Sequence, residues 1–283
     1  MSHFIYTHIN TILPQHFYDS IHCLKKVEVS PIIYLITDQN IVIEGVITIH
    51  VEEVISKQTK AVFEMKLFKN ETNLLWRTSI FRIFLLRDTM KYLNISNFYH
   101  FDTDVLLFVP SYKYDTVFLN FDGLLITKCN ENEYVLGFSR FGSFSKTEEL
   151  CNMLYKILFT RFLYLKNFIL RRKYFLNMPN EMQLLAGIAK RRPDLIKSLC
   201  ILPNIDETYV FDPSSYGQYF GGTNLGHLPG FKSTDHIIGN EISIGNIIPL
   251  MIDNKPFVKK GQNLYPIVNL HIHSKRTNEF LIF

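Results

Sequence analysis

Hydrophobic positions along this chain fall into two rhythms. Pro31-Ile32-Ile33-Tyr34-Leu35-Ile36 is almost continuously apolar and ends at the polar run Thr37-Asp38-Gln39-Asn40. That pattern predicts a strand covered on both faces, as in a parallel sheet, and it is the first convincing strand of the chain. The stretch from Ile41 to Val54 alternates and fits strand or helix. From Leu74 to Leu93 the spacing turns helical, with Asn94 as its stop. A short strand is predicted at Asn97–Phe101; it delivers Asp102-Thr103-Asp104 before the apolar run Val105–Val109. Further strands are expected around Thr116–Phe121 and Tyr134–Phe138, and helices at Lys146–Tyr174 and Glu181–Lys190. After Pro203 the chain becomes glycine-rich and irregular, then closes in a strand-like run, Leu264–His273. Strands and helices alternate through the first half, which predicts an α/β fold with a mostly parallel sheet.

The 283 residues allow one large domain or two small ones, and a compact fold of that size hides roughly 75% of its unfolded surface. Hydrophobic residues at 47% against 20% charged exclude a disordered tail protein. A formal charge of +4, with no Lys/Arg block that resembles a basic arm, argues against nucleic acid as a partner. Cys23, Cys129, Cys151 and Cys200 are too few and scattered for a disulfide framework or a zinc knuckle, and read as reduced thiols. The first residues lack a basic segment followed by an unbroken apolar one, so no signal peptide is expected. No run of 18 apolar residues occurs, so a cytoplasmic protein is expected.

Against that background Asp102 and Asp104 carry the sharpest chemical signal. In extended chain, residues two apart point to one face, and a strand end is where open α/β sheets bind ligands. Two carboxylates held together repel unless a proton or cation lies between them. A hard divalent cation, Mg²⁺ or Mn²⁺, suits oxygen ligands and keeps positions free for phosphates. At the other end, His271-Ile272-His273-Ser274-Lys275 places two imidazoles and an ammonium on one parity. One imidazole could complete a metal site, and Lys275 could neutralise a diphosphate.

These segments together resemble the GT-A fold, the DxD-containing superfamily of nucleotide-sugar glycosyltransferases. "FYHFDTDVLLF" is similar to its strand and DxD motif, and "LLWRTSIFRIFLLRDTM" to the helix before it. "FDPSSYGQYFGGT" and "LHIHSK" resemble a group of capsule and surface-glycan transferases of bacteria and large DNA viruses. The resemblance runs from about Ile32 to Lys275. It implies a single Rossmann-like domain over 1–283, with a nucleotide-sugar-binding half at about 30–110. An acceptor-binding half at about 111–283 would end in a metal and diphosphate segment. It further implies a hexosyl- or pentosyltransferase moving sugar from a nucleotide-diphosphate donor to a glycan or a lipid- or protein-linked saccharide. UDP is the preferred nucleotide because it is the commonest donor among similar enzymes.

Carried over by position, Asp38 would lie near the base or ribose. Arg82 would reach the diphosphate or sugar, with Arg77 or Ser79 assisting. Asp104 would bind Mn²⁺ or Mg²⁺, with Asp102 on ribose or metal. His271 or His273 would be the remaining ligand, and Lys275 would hold the β-phosphate. Glu181 falls where many members carry an acid near the reacting sugar. An inverting reaction would need a carboxylate to deprotonate the acceptor hydroxyl, for which Glu181 and then Asp212 are the candidates. The alternative reading is a metal-dependent hydrolase or phosphoesterase using the same Asp and His residues to activate water.

One further segment carries chemistry. Between Cys151 and Pro179 there is no acid, while Lys156, Arg161, Lys166, Arg171, Arg172 and Lys173 stand among Leu, Phe, Ile and Tyr. Peripheral contact with a membrane through 151–179 is one reading; the other is a partly buried helix with snorkelling cations. Lysines and arginines five residues apart nonetheless scatter around a helix axis.

Overall fold

The computed structural model describes residues 2–65, 74–118, 120–159, 180–204, 208–223 and 235–281. Its centre is a seven-stranded sheet. The strands in chain order are β1 (His3–His8), β2 (Ile32–Thr37), β3 (Ile47–His50), β4 (Phe98–Phe101), β6 (Leu124–Asn130), β7 (Glu133–Phe141) and β8 (Ile196–Ser198), with β5 (Val105–Leu107) lying apart. The spatial order is β3-β2-β1-β4-β7-β6-β8. Neighbours are parallel from β3 through β4 and again at β6–β8, while β7 runs antiparallel to both its neighbours. The sheet is therefore mixed and mostly parallel, as the alternation of elements predicts.

The strand at the middle of the parallel half is one that the sequence pattern does not announce. β1 pairs with β2 on one side and β4 on the other. Its sequence, HFIYTH, is flanked by histidines and threonine, and only Phe4, Ile5 and Tyr6 are buried. A three-residue apolar run carries little periodic signal. The expected strand at Thr116–Phe121 is instead a 3-10 turn, Asp115–Phe118, and the strand follows at β6. Within Ile41–Val54 the chain forms β3 and then a single helical turn, α2 (Val51–Val54).

Helices cover both faces. On one side lie α4 (Leu74–Leu93), α5 (Phe144–Phe159) and α6 (Glu181–Arg191), whose apolar faces share a core with Ile5, Ile36 and Ile126. α4 is buried along its middle: Ile80, Phe81, Ile83, Phe84, Leu85 and Leu86 are all inaccessible. Its buried charges are matched. Arg87 Nε donates to Asp88 Oδ1 at 2.7 Å, and Asp88 Oδ2 accepts from the Ser56 amide at 2.8 Å. Those contacts cap α3 (Lys57–Phe63), so this ion pair is structural. On the other face α1 (Gln15–Val27) packs with an aromatic cluster that includes Phe4, Tyr99, Phe101, Phe138 and Phe211.

The C-terminal quarter builds a third core. After α7 (Tyr216–Tyr219) and α8 (Ile237–Ser243) comes an antiparallel meander of β9 (Ile248–Ile252), β10 (Lys255–Lys260) and β11 (Asn263–Pro266), leading into β12 (Asn269–His271). The run expected as one strand, Leu264–His273, is thus broken into β11 and β12. β12 pairs antiparallel with β5, setting His271 opposite Val105, the residue that follows Asp104. β5 is held from below by α1, where Ser20 Oγ donates to the Val105 carbonyl at 2.6 Å and Cys23 Sγ to the Leu107 carbonyl at 3.0 Å. No described helix is long and apolar enough to cross a membrane.

Candidate active site

The DxD residues leave the sheet in a turn. β4 ends at Phe101, and the Asp102 amide donates to the Gly137 carbonyl at 2.8 Å. The Val105 amide then closes back on the Asp102 carbonyl at 3.1 Å. A turn, and not extended-chain parity, brings both carboxylates to one point. Asp102, Asp104 and His271 offer ligand atoms that all lie within 4.8 Å of one another. Two residues of one turn and a third about 170 positions away meet there because β5 and β12 are paired.

Positive charge surrounds the two acids. Arg82, on α4, forms an ion pair with Asp102, and Lys275 forms one with Asp104. His271 Nε2 lies 3.0 Å from Asp104 Oδ2. Burial alone would raise the Asp104 carboxyl, but His271 and Lys275 hold it well below the usual carboxylate range. Burial pushes Asp102 up as well, and Arg82, His271 and His100 outweigh it. For His271 burial favours the neutral ring, yet Asp104 and Asp102 keep its pKa above the ordinary value. Lys275 reaches Asp104 by way of a tight turn: its amide donates to Ile272, and its φ is +60°.

The donor set fits a hard divalent cation: two carboxylates and one imidazole, at the mouth of a cleft, with room made by a glycine. A Cβ on Gly137 would sit 2.7 Å from His271 Nδ1 and 3.4 Å from Asp102 Oδ2. His273 is not in that cluster. Its ring stacks on His271 with centroids 4.5 Å apart, and its Nε2 bonds Ser214 Oγ at 2.6 Å. Burial, with His271 alongside, lowers His273 to about 3, so it stays neutral. Of the two histidines left open by the sequence, His271 faces the carboxylates.

A cavity of about 630 Å³ opens over this cluster, within the size range of ligand sites. Ser79, Arg82, Asp102, Asp104, Glu181, His271, His273 and Lys275 all line it. Glu181 is the first residue of α6, whose N-terminus is capped by the Asn180 side chain accepting from the Gln183 amide at 2.9 Å. The residue is 7% exposed, and its Oε2 has no hydrogen-bond partner among the described residues. Burial raises its pKa against the opposing pull of Arg82 and a hydrogen bond from Ser79. An ionisable oxygen left unpaired at such burial is costly unless a ligand satisfies it.

Other expected residues fall elsewhere. Asp212 does not line the cavity. Its carboxylate accepts from four amides, those of Ser215, Tyr216, Gly217 and His271, at 2.6 to 3.0 Å. That corrects its candidacy as a base: every lone pair facing the backbone is engaged, and the residue pins β12 to the start of α7. Gly217 is needed in the same place, because a Cβ there would overlap the His271 carbonyl. Asp38 is exposed beyond β2 and accepts from the Asn10 amide at 2.9 Å. It therefore shapes the cleft through Asn10, a lining residue with φ +71°. Arg77 lies on α4, with its side chain outside the described residues, as is residue range 160–179 of the basic segment.

Three contributions escape sequence reasoning. Thr7 to Thr11, the end of β1 and its loop, form one wall of the cleft. Ser214, with φ +69°, presents its hydroxyl to His273. His100 is fully buried behind Asp102, with Nδ1 2.8 Å from the Ile5 carbonyl, and burial lowers it to about 4. The only advance sign of His100 was its place beside the DxD in "FYHFDTD".

No protein-family model and no curated protein matches the sequence. Among solved structures, mouse xyloside xylosyltransferase 1 in its apo form aligns at TM-score 0.45 and 11% identity, over 70% of this chain and 85% of its own. The apo glycosyltransferase GlyE of Streptococcus pneumoniae TIGR4 aligns at TM-score 0.41 and 12% identity, over 78% of this chain. This chain spans about half of GlyE, 48% of its length. Likenesses at such scores assign no activity to this chain.

Replacing Gly137 by alanine should leave the protein folded but raise the Mn²⁺ concentration needed for half-maximal thermal stabilisation by about tenfold or more. Differential scanning fluorimetry across a Mn²⁺ titration measures this. An unchanged midpoint would mean that His271 and Asp102 do not meet a metal where Gly137 makes room.

Proposed function

We propose that this chain is a metal-dependent glycosyltransferase of the GT-A, Rossmann-like fold. It moves a sugar from a nucleotide-diphosphate donor, UDP by preference, to a glycan or a lipid- or protein-linked saccharide. The observation that carries the reading is the meeting of Asp102, Asp104 and His271 with Arg82 and Lys275 at one end of a cleft, faced by a buried Glu181 whose Oε2 has no partner among the described residues. That combination provides separate groups for a departing diphosphate and for an incoming hydroxyl.

Transfer breaks the bond between the anomeric carbon and a diphosphate oxygen. The carbon becomes oxocarbenium-like while negative charge gathers on the leaving group, so stabilising that charge is the main catalytic burden. Mn²⁺ or Mg²⁺ held by Asp102, Asp104 and His271 would supply Lewis-acid neutralisation of the diphosphate. The chain adds two cations of its own. Lys275 has a side chain 52% exposed, on a flexible stem, and can exchange the Asp104 carboxylate for a phosphate oxygen. Arg82 keeps Asp102 ionised and turns its planar fork towards the cavity. Ser79 steadies Glu181. Asp38, by fixing Asn10, orders the wall nearest the base and ribose.

Glu181 is the proposed base. Its Oε2 accepts the proton of the acceptor hydroxyl as the new glycosidic bond forms, and burial raises its pKa above the ordinary carboxylate value, which strengthens it as a base. A hydrolase would direct the same metal towards water, and would bind the ion with no preference for a nucleotide.

Thermal shift with nucleoside diphosphates separates these readings. UDP should stabilise the protein only with Mn²⁺ present, and chelator should abolish the shift. Asp104→Ala should stay folded and lose the response entirely. Stabilisation by Mn²⁺ alone, indifferent to every nucleotide, would favour a hydrolase and reject the transferase.

Glu181→Gln should retain the nucleotide shift yet lower transfer from the cognate nucleotide sugar by about 10²–10⁴-fold. Product formation by mass spectrometry checks this, and full activity in the variant would remove Glu181 from catalysis.

A further inference from the structure

The C-terminal meander has two unlike faces. Across β9 and β10, Ile252 pairs with Lys255, Leu250 with Phe257, and Ile248 with Lys259. Across β10 and β11, Phe257 pairs with Pro266 and Lys259 with Leu264. Directly paired residues share a face, and the alternate residues take the other. The inner face presents Val258, which is fully buried, and Tyr265, which packs on the same core. The outer face presents Ile248, Leu250, Ile252, Phe257 and Leu264, and none of these joins any core of the described residues. Ile248 is 50% exposed, Leu264 48% and Ile252 37%.

We propose that this outer face docks on the surface of an anionic lipid bilayer. Single exposed apolar residues are ordinary, but rows from three adjacent strands on one side of a sheet form a patch that calls for an occupant. Charge selects which one. Lys255 and Lys259 stand within the patch, and no ion pair engages either of them among the described residues. From Gly245 to Gln262 the sequence carries one acid, Asp253, against Lys255, Lys259 and Lys260. A second copy seated by twofold symmetry would press the same lysines together in apolar surroundings, at a desolvation cost with no compensating charge. Anionic headgroups pair with the lysines while the aliphatic side chains enter the headgroup–acyl boundary. The surface does not depend on the reaction assigned to the cleft. β11 leads directly into β12, which carries His271, so docking anchors the segment next to the cleft.

Vesicle flotation tests this, using phosphatidylcholine vesicles with and without phosphatidylglycerol at low and high salt. The protein should float only with anionic vesicles, and salt should release it. Ile248→Ser/Leu264→Ser and, separately, Lys255→Glu should each reduce the bound fraction several-fold, since a Lys near such a surface contributes about 1 kcal/mol, roughly fivefold. Lys255 is exposed, so its variant keeps the test valid if the double serine variant unfolds. Absence of flotation, or variants that float like the parent, would overturn the proposal. So would a dimer in light scattering that the serine variant dissociates, because a second copy would then own the face.

Discussion

Two carboxylates brought into a buried corner demand positive charge, and much of this fold is arranged to provide it. Asp102 and Asp104 leave the central sheet in a turn and are answered by Arg82 from a helix, by His271 from a remote strand and by Lys275 from the turn beyond. Desolvation works against ionising both acids, so the cluster is stable only while these cations stay in place. In the proposed reading a divalent ion would replace that shell of positive charge and leave the Lys275 ammonium free for a phosphate.

The placement of His271 is therefore the structural problem the C-terminal region solves. Pairing of β12 with β5 gives the register, and Asp212 fixes the strand by accepting the His271 amide together with three amides of the α7 turn. Gly217 admits the His271 carbonyl where any side chain would collide, and Gly137 leaves space for the ring. Serine at 214, in the left-handed region, bonds the His273 ring that stacks on His271, while burial and the neighbouring His271 keep His273 neutral. Asp212, which resembles a base in sequence, holds the strand that carries His271 to the carboxylates.

Much of this was readable from the chain. The Asp102–Asp104 pair, His271 and Lys275 were legible as chemistry because acids and imidazoles flanked by apolar runs stand out, and α4 was legible because twenty residues hold one helical rhythm. The route by which they meet was hidden. A turn replaces the expected strand parity, and the tail run is two short strands interrupted at Ile267 and Val268. β1 was missed because three apolar residues between polar ends have no period to detect, although the strand sits in the middle of the parallel half. Asp212 looked like a candidate base since composition cannot show that four amides already occupy its oxygens.

The central claim concerns one ion and one diphosphate, so the decisive measurement is a crystal structure with Mn²⁺ and UDP, phased at the manganese absorption edge. The account requires an anomalous peak bonded to the Asp104 carboxylate, the His271 ring and diphosphate oxygens together, with the Lys275 ammonium moved from Asp104 onto phosphate. Nucleotide bound in the cleft with no anomalous peak among Asp102, Asp104 and His271, or a peak held elsewhere on the chain, would contradict it.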